Sequence, residues 1–379
     1  MMRAALAIGL VIAGSAASVA PTASAALGPP GSLIGSTSMP GPRGGSAWRI
    51  RYVSTGLDGK PIEVTGAVIA PREAGQNRPV VAWAHGTTGV GERCAPSLRG
   101  PLAGSIDGLS GSLSRGYVVA ATDYPGLGTG PHPYLVGISE GRAVLDSVRA
   151  ARQLPAGAGA RFVPWGTSQG GHAALFAGAL AKPYAPELSL VGIAASAPPT
   201  NLEATVLYHL EHKSGNILAA MVLWSWSRVY HAPLEPILSA SSRRKLGLIA
   251  RICYQKKLDV PVAALTDVVL GRKFVDARVP GHGTWSRLFA ENAPPASSYG
   301  VPLFITQGTA DKLVPPPLTA KFAQRLCGGG ARLQYEQLAG VEHVTVGPAS
   351  TPHFLSWVAD RFAGKAATGN CASRPWLTG

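Results

Sequence analysis

The sequence predicts an α/β protein with a doubly wound, mostly parallel sheet and an inserted helical cap. Strand-like apolar runs alternate with helical segments over most of the 379 residues, which is typical of a parallel sheet with helices on both faces. Residues 166–171, Gly-Thr-Ser-Gln-Gly-Gly, lie between one such strand and helix. The alternation stops at residues 198–295, where apolar helical stretches without clear strand pairs indicate the cap. The main domain is therefore expected at residues 47–197 and 296–379.

The N-terminal residues predict secretion. Arg3 precedes the small-residue apolar run 4–20, and Ala23-Ser24-Ala25 matches the A-x-A pattern of a cleavage site. We therefore expect a signal peptide at residues 1–25 and an extracellular protein. Residues 26–46 are rich in Gly, Pro and Ser, which favours a flexible lead-in.

The main domain is predicted to begin with a hairpin. Residues 48–55 and 62–70 show strand-like alternation on either side of a turn that contains two glycines. The continuous apolar runs at 80–84 and 117–122 are typical of strands that are covered on both faces. The other predicted elements are a helix at 139–154 capped at Ser139, strands at 161–166, 188–194, 302–307 and 332–335, and helices at 318–326 and 352–362.

The composition indicates an ordered globular protein and argues against a nucleic-acid partner. A hydrophobic content of 46% with 14% charged residues indicates an ordered globular chain. The formal net charge is +14, but the dense basic clusters at 243–245 and 256–257 have no interleaved aromatic residues on which bases could stack. We therefore expect no nucleic-acid partner and leave open adsorption to an acidic surface.

The four cysteines suit an oxidising compartment. Their even number in a secreted chain predicts two disulfides, for which three connectivities exist. No C-x-x-C pair is present, so a zinc site is not expected. The four residues are Cys94, Cys253, Cys327 and Cys371.

Ser168 is the predicted nucleophile. It is the serine of a G-x-S-x-G sequence that follows an apolar strand and precedes an alanine-rich helix. Side chains in place of the flanking glycines would collide with a sharp strand-to-helix turn, and the turn exposes the serine hydroxyl near the positive end of the helix. A serine hydroxyl needs a nearby imidazole as base and an acid that orients the imidazole.

Asp311 and His343 supply that acid and base in the order Ser, Asp, His. Asp311 follows an apolar strand, where doubly wound sheets place their sites, although it could instead cap the following helix. His343 lies in a predicted loop before the terminal helix. We prefer it to His353, which falls in a helical pattern, and to His172, which lies on the helix of the nucleophile and is expected to be structural.

Two backbone N–H groups are expected to stabilise the oxyanion. One belongs to Gln169, directly after the nucleophile. The other is assigned to Thr87, with Thr88 as the alternative, in the loop His85-Gly86-Thr87-Thr88-Gly89 that follows an early strand. His85 is expected to shape this loop and to take no part in proton transfer.

These motifs resemble the α/β-hydrolase superfamily and, within it, the secretory lipase family with its Candida lipase A-like and actinobacterial members. Besides the segments of Ser168, Asp311 and His343, the resemblance rests on residues 84–87 followed by 94–97 and on residues 123–128, Asp-Tyr-Pro-Gly-Leu-Gly. It implies an α/β-hydrolase fold and a secreted carboxylic-ester hydrolase with a helical lid. It also implies that Cys94 pairs with Cys253 and Cys327 with Cys371.

The resemblance has two limits. The fungal lipase after which the family is described uses an acidic residue in its oxyanion loop, where this chain has His-Gly-Thr-Thr. The cap sequence also differs too much to transfer an acyl-chain preference. Tyr124 is a candidate pocket residue, although a structural role in its glycine-rich turn is the stronger interpretation. Met221 and Trp224 of the cap are further candidates for substrate binding, and buried helix packing explains them equally well.

The predicted function is hydrolysis of lipid-like or acyl-glycerol esters through an acyl-enzyme, without metal or organic cofactor. This function leaves open a transient contact with a lipid interface or the cell envelope. Two alternatives remain at this stage: an acyltransferase that uses the same three residues, and a binding protein that keeps the scaffold without turnover.

Overall fold

A ten-stranded mixed sheet forms the centre of the protein. The computed structural model describes residues 27–100, 102–212, 216–235, 237–249, 252–253 and 283–373, so the predicted signal peptide and the basic pair 256–257 lie outside the described residues. The strands are β1 (Leu33–Met39), β2 (Gly45–Thr55), β3 (Pro61–Pro71), β4 (Arg78–Ala84), β5 (Val118–Thr122), β6 (Ala158–Thr167), β7 (Ser189–Leu190), β8 (Ile193–Ser196), β9 (Leu303–Gly308) and β10 (Leu333–Leu338).

Helices flank both faces of the sheet. In the described part of the chain they are α1 (Leu109–Ser114), α2 (Gly137–Ala151), α3 (Gln169–Tyr184), α4 (Leu202–His212), α5 (Asn216–Val229), α6 (Ala240–Ile249), α7 (Gly283–Glu291), α8 (Pro316–Gly328) and α9 (His343–Phe362). Helices α2, α3 and α8 pack with one set of strand side chains, while α1 and α9 pack with the alternate set on the opposite face.

The strand order confirms the predicted fold class. Strands follow the order β1-β2-β3-β5-β4-β6-β8-β9-β10, and the short β7 pairs with β6. Strands β4 to β6 and β8 to β10 run parallel to one another, whereas β1, β2 and β3 pair antiparallel with each other and β3 pairs antiparallel with β5. The carboxyl ends of the parallel strands therefore lie on the same side of the sheet, where α/β folds bind their ligands.

The lead-in expected at residues 26–46 is instead part of the sheet. Strand β1 pairs antiparallel with β2, and β2 already begins at Gly45. The Gln153 side chain accepts a hydrogen bond from Leu33 N at 3.0 Å and donates one to Gly31 O at 2.7 Å. Glycine and serine do not prevent an edge strand when a neighbouring strand and a helix supply the partners, so composition alone was misleading here.

Two helices begin earlier than the sequence predicted. Helix α2 begins at Gly137, and its N-cap position is held by Val136 without a side-chain cap, so the expected cap at Ser139 was wrong. Asn292 Oδ1 accepts from Gly137 N at 3.0 Å, and Glu140 Oε1 accepts from Leu135 N at 3.0 Å, which replaces a local cap. Helix α9 begins at His343 itself, and Pro348 and Pro352 lie inside it.

Helices α4 to α7 lie between β8 and β9 and share a hydrophobic cluster. Trp226, Trp285 and Phe289 form its aromatic centre, with the two indole rings stacked at 6.1 Å. The same cluster includes residues 134–136 of the main domain, which lie in the connection between β5 and α2. These four helices, called the cap, are thus packed onto the connection that precedes α2. No helix among the described residues is long and apolar enough to cross a membrane.

Two disulfides join distant parts of the chain. Cys94 bonds to Cys253 across 159 residues, and Cys327 bonds to Cys371 across 44 residues. These are the pairs that the family resemblance implies. The first disulfide links the loop after β4 to the chain between α6 and α7, and the second links the end of α8 to the segment after α9.

Candidate active site

Ser168 lies at a sharp turn between β6 and α3. Its backbone has φ of 60° and ψ of −120°, and α3 begins at the next residue. A Cβ on Gly166 would collide with Ala84 O and Gly170, and a Cβ on Gly170 would collide with Ala84 O. The two glycines are therefore required because the turn lies directly against the end of β4. Ser168 N is bound by Ser196 O at 2.8 Å, which ties the turn to β8.

Ser168, His343 and Asp311 form a continuous hydrogen-bonded chain. His343 Nε2 lies 2.8 Å from Ser168 Oγ, and His343 Nδ1 lies 2.7 Å from Asp311 Oδ2. Because a carboxylate only accepts, the Nδ1–H donates to Asp311 and leaves the Nε2 lone pair for the serine proton. This arrangement fits a nucleophile, a general base and an orienting acid. The competitor His353 is instead paired with Glu336 at 2.8 Å.

Four donors hold Asp311 in place. Its Oδ1 accepts from Leu313 N and Val314 N, each at 2.8 Å, and its Oδ2 accepts from Gln307 Nε2 at 2.9 Å in addition to His343. Thr319 Oγ1 in turn donates to Gln307 Oε1 at 2.8 Å. The prediction did not assign a role to Gln307, although its place at the end of β9, four residues before the acid, is the signal that could have found it.

The two predicted oxyanion residues lie in segments that adjoin the turn of Ser168. Helix α3 begins at Gln169, and the first N–H groups of a helix have no partner within it, so the Gln169 N–H is available at the positive helix end. Thr87 follows β4, whose Ala84 pairs with Gly166 in register. A Cβ on Gly86 would lie 3.2 Å from Thr167 O, so this loop packs against the turn of Ser168.

The side chain of Gln169 belongs to a buried polar network that sequence reasoning missed. Its Nε2 donates to Glu140 Oε1 at 2.7 Å and lies 3.0 Å from His132 Nε2. His172 faces Glu140 Oε2 with Nδ1 at 2.9 Å and the Asn292 carbonyl with Nε2 at 2.8 Å. The structural position expected for His172 is therefore the one observed. The network joins α2, α3 and the end of the cap helix α7.

His132 is neutral within this network. It is fully buried, and burial lowers its pKa from 6.5 to about 3. His132 Nδ1 lies 2.8 Å from the carbonyl of Pro125 and must carry the ring hydrogen, because a carbonyl only accepts. The bare Nε2 can then accept from the amide of Gln169.

Tyr124 and Met221, two of the predicted substrate-binding residues, are buried in the structure. Tyr124 has no exposed surface, and its hydroxyl donates to His85 O at 2.9 Å. Met221 is buried in the hydrophobic cluster of the cap. Trp224 is the exception, because it lines a cleft of about 580 Å³ between the cap and the loop that precedes Cys94. Apolar character alone does not distinguish core packing from pocket lining.

Asp123 of the Asp-Tyr-Pro-Gly segment has a structural environment. Its Oδ1 accepts from Ser97 N at 2.8 Å, and its Oδ2 accepts from Thr65 Oγ1 at 2.7 Å and from the Ser97 hydroxyl. Burial raises the pKa of this carboxyl. His85 Nε2 lies 3.2 Å from the carbonyl of Asp123, so this segment positions both the Ser97 turn and the start of the oxyanion loop.

Within the described ranges, no group of three or more His, Cys, Asp or Glu side chains has the arrangement of a metal site.

Comparison with known proteins finds relatives among lipases. A protein-family model described as secretory lipase matches residues 106–370. The chain is 26% identical over 357 residues to a protein of Mycobacterium tuberculosis named probable inactive lipase, with 88% of this chain and 77% of the relative covered. It is 28% identical over 357 residues to a secreted triacylglycerol lipase of Malassezia globosa, with 86% and 74% covered.

Two solved structures share the fold. Candida antarctica lipase A superposes with a TM-score of 0.75 at 21% identity, covering 90% of this chain and 84% of the lipase. The rice cell wall degrading esterase LipA of Xanthomonas oryzae superposes with a TM-score of 0.72 at 19% identity, covering 88% and 99%.

Proposed function

Because the chain belongs to the secretory lipase family and is a carboxylic-ester hydrolase, we propose that it cleaves lipid-like or acyl-glycerol esters through Ser168, His343 and Asp311. The observation that carries the proposal is the hydrogen-bonded chain from Ser168 Oγ through His343 to Asp311.

Acylation begins when Ser168 Oγ attacks the ester carbonyl. His343 Nε2 takes the hydroxyl proton, and Asp311 stabilises the resulting imidazolium at Nδ1. The carbonyl oxygen becomes an oxyanion, to which the N–H groups of Gln169 and Thr87 donate. His343 then returns the proton to the leaving alcohol oxygen, the C–O bond of the ester breaks, and the acyl group remains on Ser168.

Deacylation repeats these roles with water. His343 Nε2 removes a proton from water as the water oxygen attacks the acyl carbonyl, and the same donors hold the oxyanion. The bond between the acyl carbon and Ser168 Oγ breaks, Oγ regains its proton from His343, and the carboxylic acid leaves.

The lipid-like substrate class is supported by the cap and by the relatives. The cap places a large apolar cluster next to the loops of the site, and several relatives are named secreted triacylglycerol lipases. Secretion of this chain and contact with a lipid interface or the cell envelope belong to the same proposal. The two disulfides support an oxidising compartment.

The alternative function to test directly is a binding protein that keeps the hydrolase fold but does not turn over esters, since one relative is named a probable inactive lipase. A fluorophosphonate probe bonds to an activated serine. We expect the wild type to be labelled and Ser168→Ala to lose labelling together with at least about 10⁴-fold in kcat. Ser147→Ala is the matched control, because it removes another serine hydroxyl that only bonds Val144 O within α2.

The result that contradicts the proposal is a folded wild type without labelling or ester hydrolysis. Rates on p-nitrophenyl esters from acetyl to palmitoyl, below and above their solubility limit, then separate two kinds of hydrolase. A rise in rate above the limit indicates a lipase, and a steady decline with chain length indicates an esterase.

A further inference from the structure

One short segment of the main domain is hydrogen-bonded to the cap. Residues 131–136 are the last part of the connection between β5 and α2, and the helix α5 of the cap lies against them. Tyr134 N donates to Ser225 Oγ at 2.9 Å, and the Ser225 hydroxyl donates to His132 O at 2.7 Å. Trp226 Nε1 donates to Tyr134 O at 2.9 Å. Both backbone polar groups of Tyr134 are therefore bound by side chains of α5.

The side chain of Tyr134 points in the other direction, towards the oxyanion loop. Its hydroxyl lies 2.8 Å from Thr87 Oγ1, and either oxygen can be the donor. Tyr134 is only 2% exposed, whereas Thr87 lies in the partly exposed stretch of its loop, beside the turn of Ser168. A threonine hydroxyl has a single hydrogen. If Tyr134 donates to Thr87 Oγ1, the hydrogen of Thr87 is free to bind another acceptor; if Thr87 donates, its hydrogen is used in this pair.

We propose that Tyr134 is a positioning residue that donates to Thr87 Oγ1 and thereby directs the Thr87 hydroxyl hydrogen at the oxyanion. The proposal rests on the function proposed above and adds a side-chain donor to the two backbone donors. The Tyr134 phenol is buried and held at its backbone by the cap. It therefore fixes the Thr87 hydroxyl before the reaction, which is the condition under which such donors stabilise developing charge best.

The second oxyanion residue has a parallel connection. His132, two residues before Tyr134, lies against the Gln169 side chain with 3.0 Å between its Nε2 and Gln169 Nε2. Both residues that supply the oxyanion donors thus touch the segment that α5 binds. Residues 132–134 therefore contact the cap helix α5 as well as both residues of the proposed oxyanion hole.

A double-mutant cycle tests whether Tyr134 acts through the Thr87 hydroxyl. The variants Tyr134→Phe, Thr87→Val and their combination are compared on p-nitrophenyl butyrate, with kcat and KM measured separately. We expect Thr87→Val to lower kcat at least about tenfold and Tyr134→Phe to lower it about three- to tenfold, both with little change in KM. In the Thr87→Val background, Tyr134→Phe should change kcat less than about twofold, because the hydroxyl it directs is absent.

Two further variants separate positioning from packing. Thr87→Ser keeps the hydroxyl and should retain the dependence on Tyr134. Tyr52→Phe removes another buried tyrosine hydroxyl, which contacts Thr122 and Ala143, and should lower stability without lowering kcat. Thermal unfolding of each variant shows that it is folded.

Two results overturn the inference: an unchanged kcat in folded Tyr134→Phe, or the same loss of kcat from Tyr134→Phe in the wild-type and Thr87→Val backgrounds. Either result in an active wild type leaves the proposed function intact. An inactive and unlabelled wild type would contradict the proposed function itself.

Discussion

Ser168 has a backbone conformation that side-chain-bearing residues rarely adopt. Its positive φ of 60° costs about 1–3 kcal/mol, which the surrounding sheet and helix must offset. Gly166 and Gly170 permit the close approach to β4, and Ser196 O holds the serine N–H. The strain has a chemical result, because it directs Oγ away from the sheet and towards His343.

Gln307→Leu should lower kcat about tenfold with little change in KM. The substitution removes the donor to Asp311 Oδ2 and leaves His343 less firmly oriented, and a hydrogen bond to a charged group is worth roughly 1.5 kcal/mol or more. Steady-state kinetics on a soluble ester measures the effect. Gln337→Leu is the matched control, since Gln337 is the exposed residue that pairs with Gln307 in the next strand. An equal kcat for wild type and Gln307→Leu would contradict the positioning role of Gln307.

Residues with local motifs were predictable from sequence, and residues that act through distant partners were not. Ser168, Asp311 and His343 each follow a recognisable strand end, and the structure brings the three together. Their catalytic roles remain predictions. The contact of Gln169 with Glu140 depends on the packing of α2 against α3, which no local pattern encodes. The burial of Tyr124 and Met221 was not predictable for the same reason, because burial is a property of the assembled fold. Their roles in substrate binding also remain predictions.

Contacts with residues that are distant in sequence determine where helix α2 begins and whether strand β1 forms. Helix α2 has no local side-chain cap, and Asn292 at the end of the cap helix α7 supplies the acceptor for Gly137 N. Strand β1 is ordered by β2 and Gln153 despite its turn-like composition. The alternation of strands and helices was predictable because it follows from periodicity, whereas these boundaries depend on residues far along the chain.

His132 should make the connection between β5 and α2 sensitive to acid. Its pKa is lowered to about 3 in the folded protein, against about 6.5 in the unfolded chain, so the unfolded chain binds the proton first as pH falls. Stability from the neutral ring is therefore present above pH 6.5 and is lost as pH falls towards 3. The loss between pH 7 and pH 5 amounts to about 2 kcal/mol.

Denaturant unfolding of wild type and His132→Gln at both pH values measures this loss. We expect the stability advantage of the wild type over the variant to shrink by about 2 kcal/mol at pH 5, because the variant has no ring to protonate. An advantage that stays constant with pH would contradict the buried neutral state of His132.

The whole molecule is held by a continuous sheet and by two disulfides that close loops of very different length. Cys94–Cys253 attaches the cap to the loop after β4, and Cys327–Cys371 attaches the C-terminal segment to α8. Cross-links stabilise mainly by restricting the unfolded chain, and the restriction grows with loop length.

Removing Cys94–Cys253 should cost more stability than removing Cys327–Cys371. Each double replacement by Ala is expected to lower the free energy of unfolding by about 2–5 kcal/mol, and loop lengths of 159 and 44 residues imply a difference of about 1 kcal/mol. Unfolding in urea under non-reducing conditions measures both. A larger loss for the Cys327–Cys371 pair would show that local packing, and not loop length, determines the order.

The insertion of the cap between β8 and β9 also sets the order in which the protein can be completed during synthesis. Ser168 and His343 are 175 residues apart in the sequence, so a nascent chain that contains the proposed nucleophile still lacks the proposed acid and base. Until β9 emerges, the edge of β8 has no strand partner, and open strand edges invite pairing with other chains. The growing chain is therefore most prone to aggregate while the cap is being made. The sheet is complete only when β9 and β10 have been added to it.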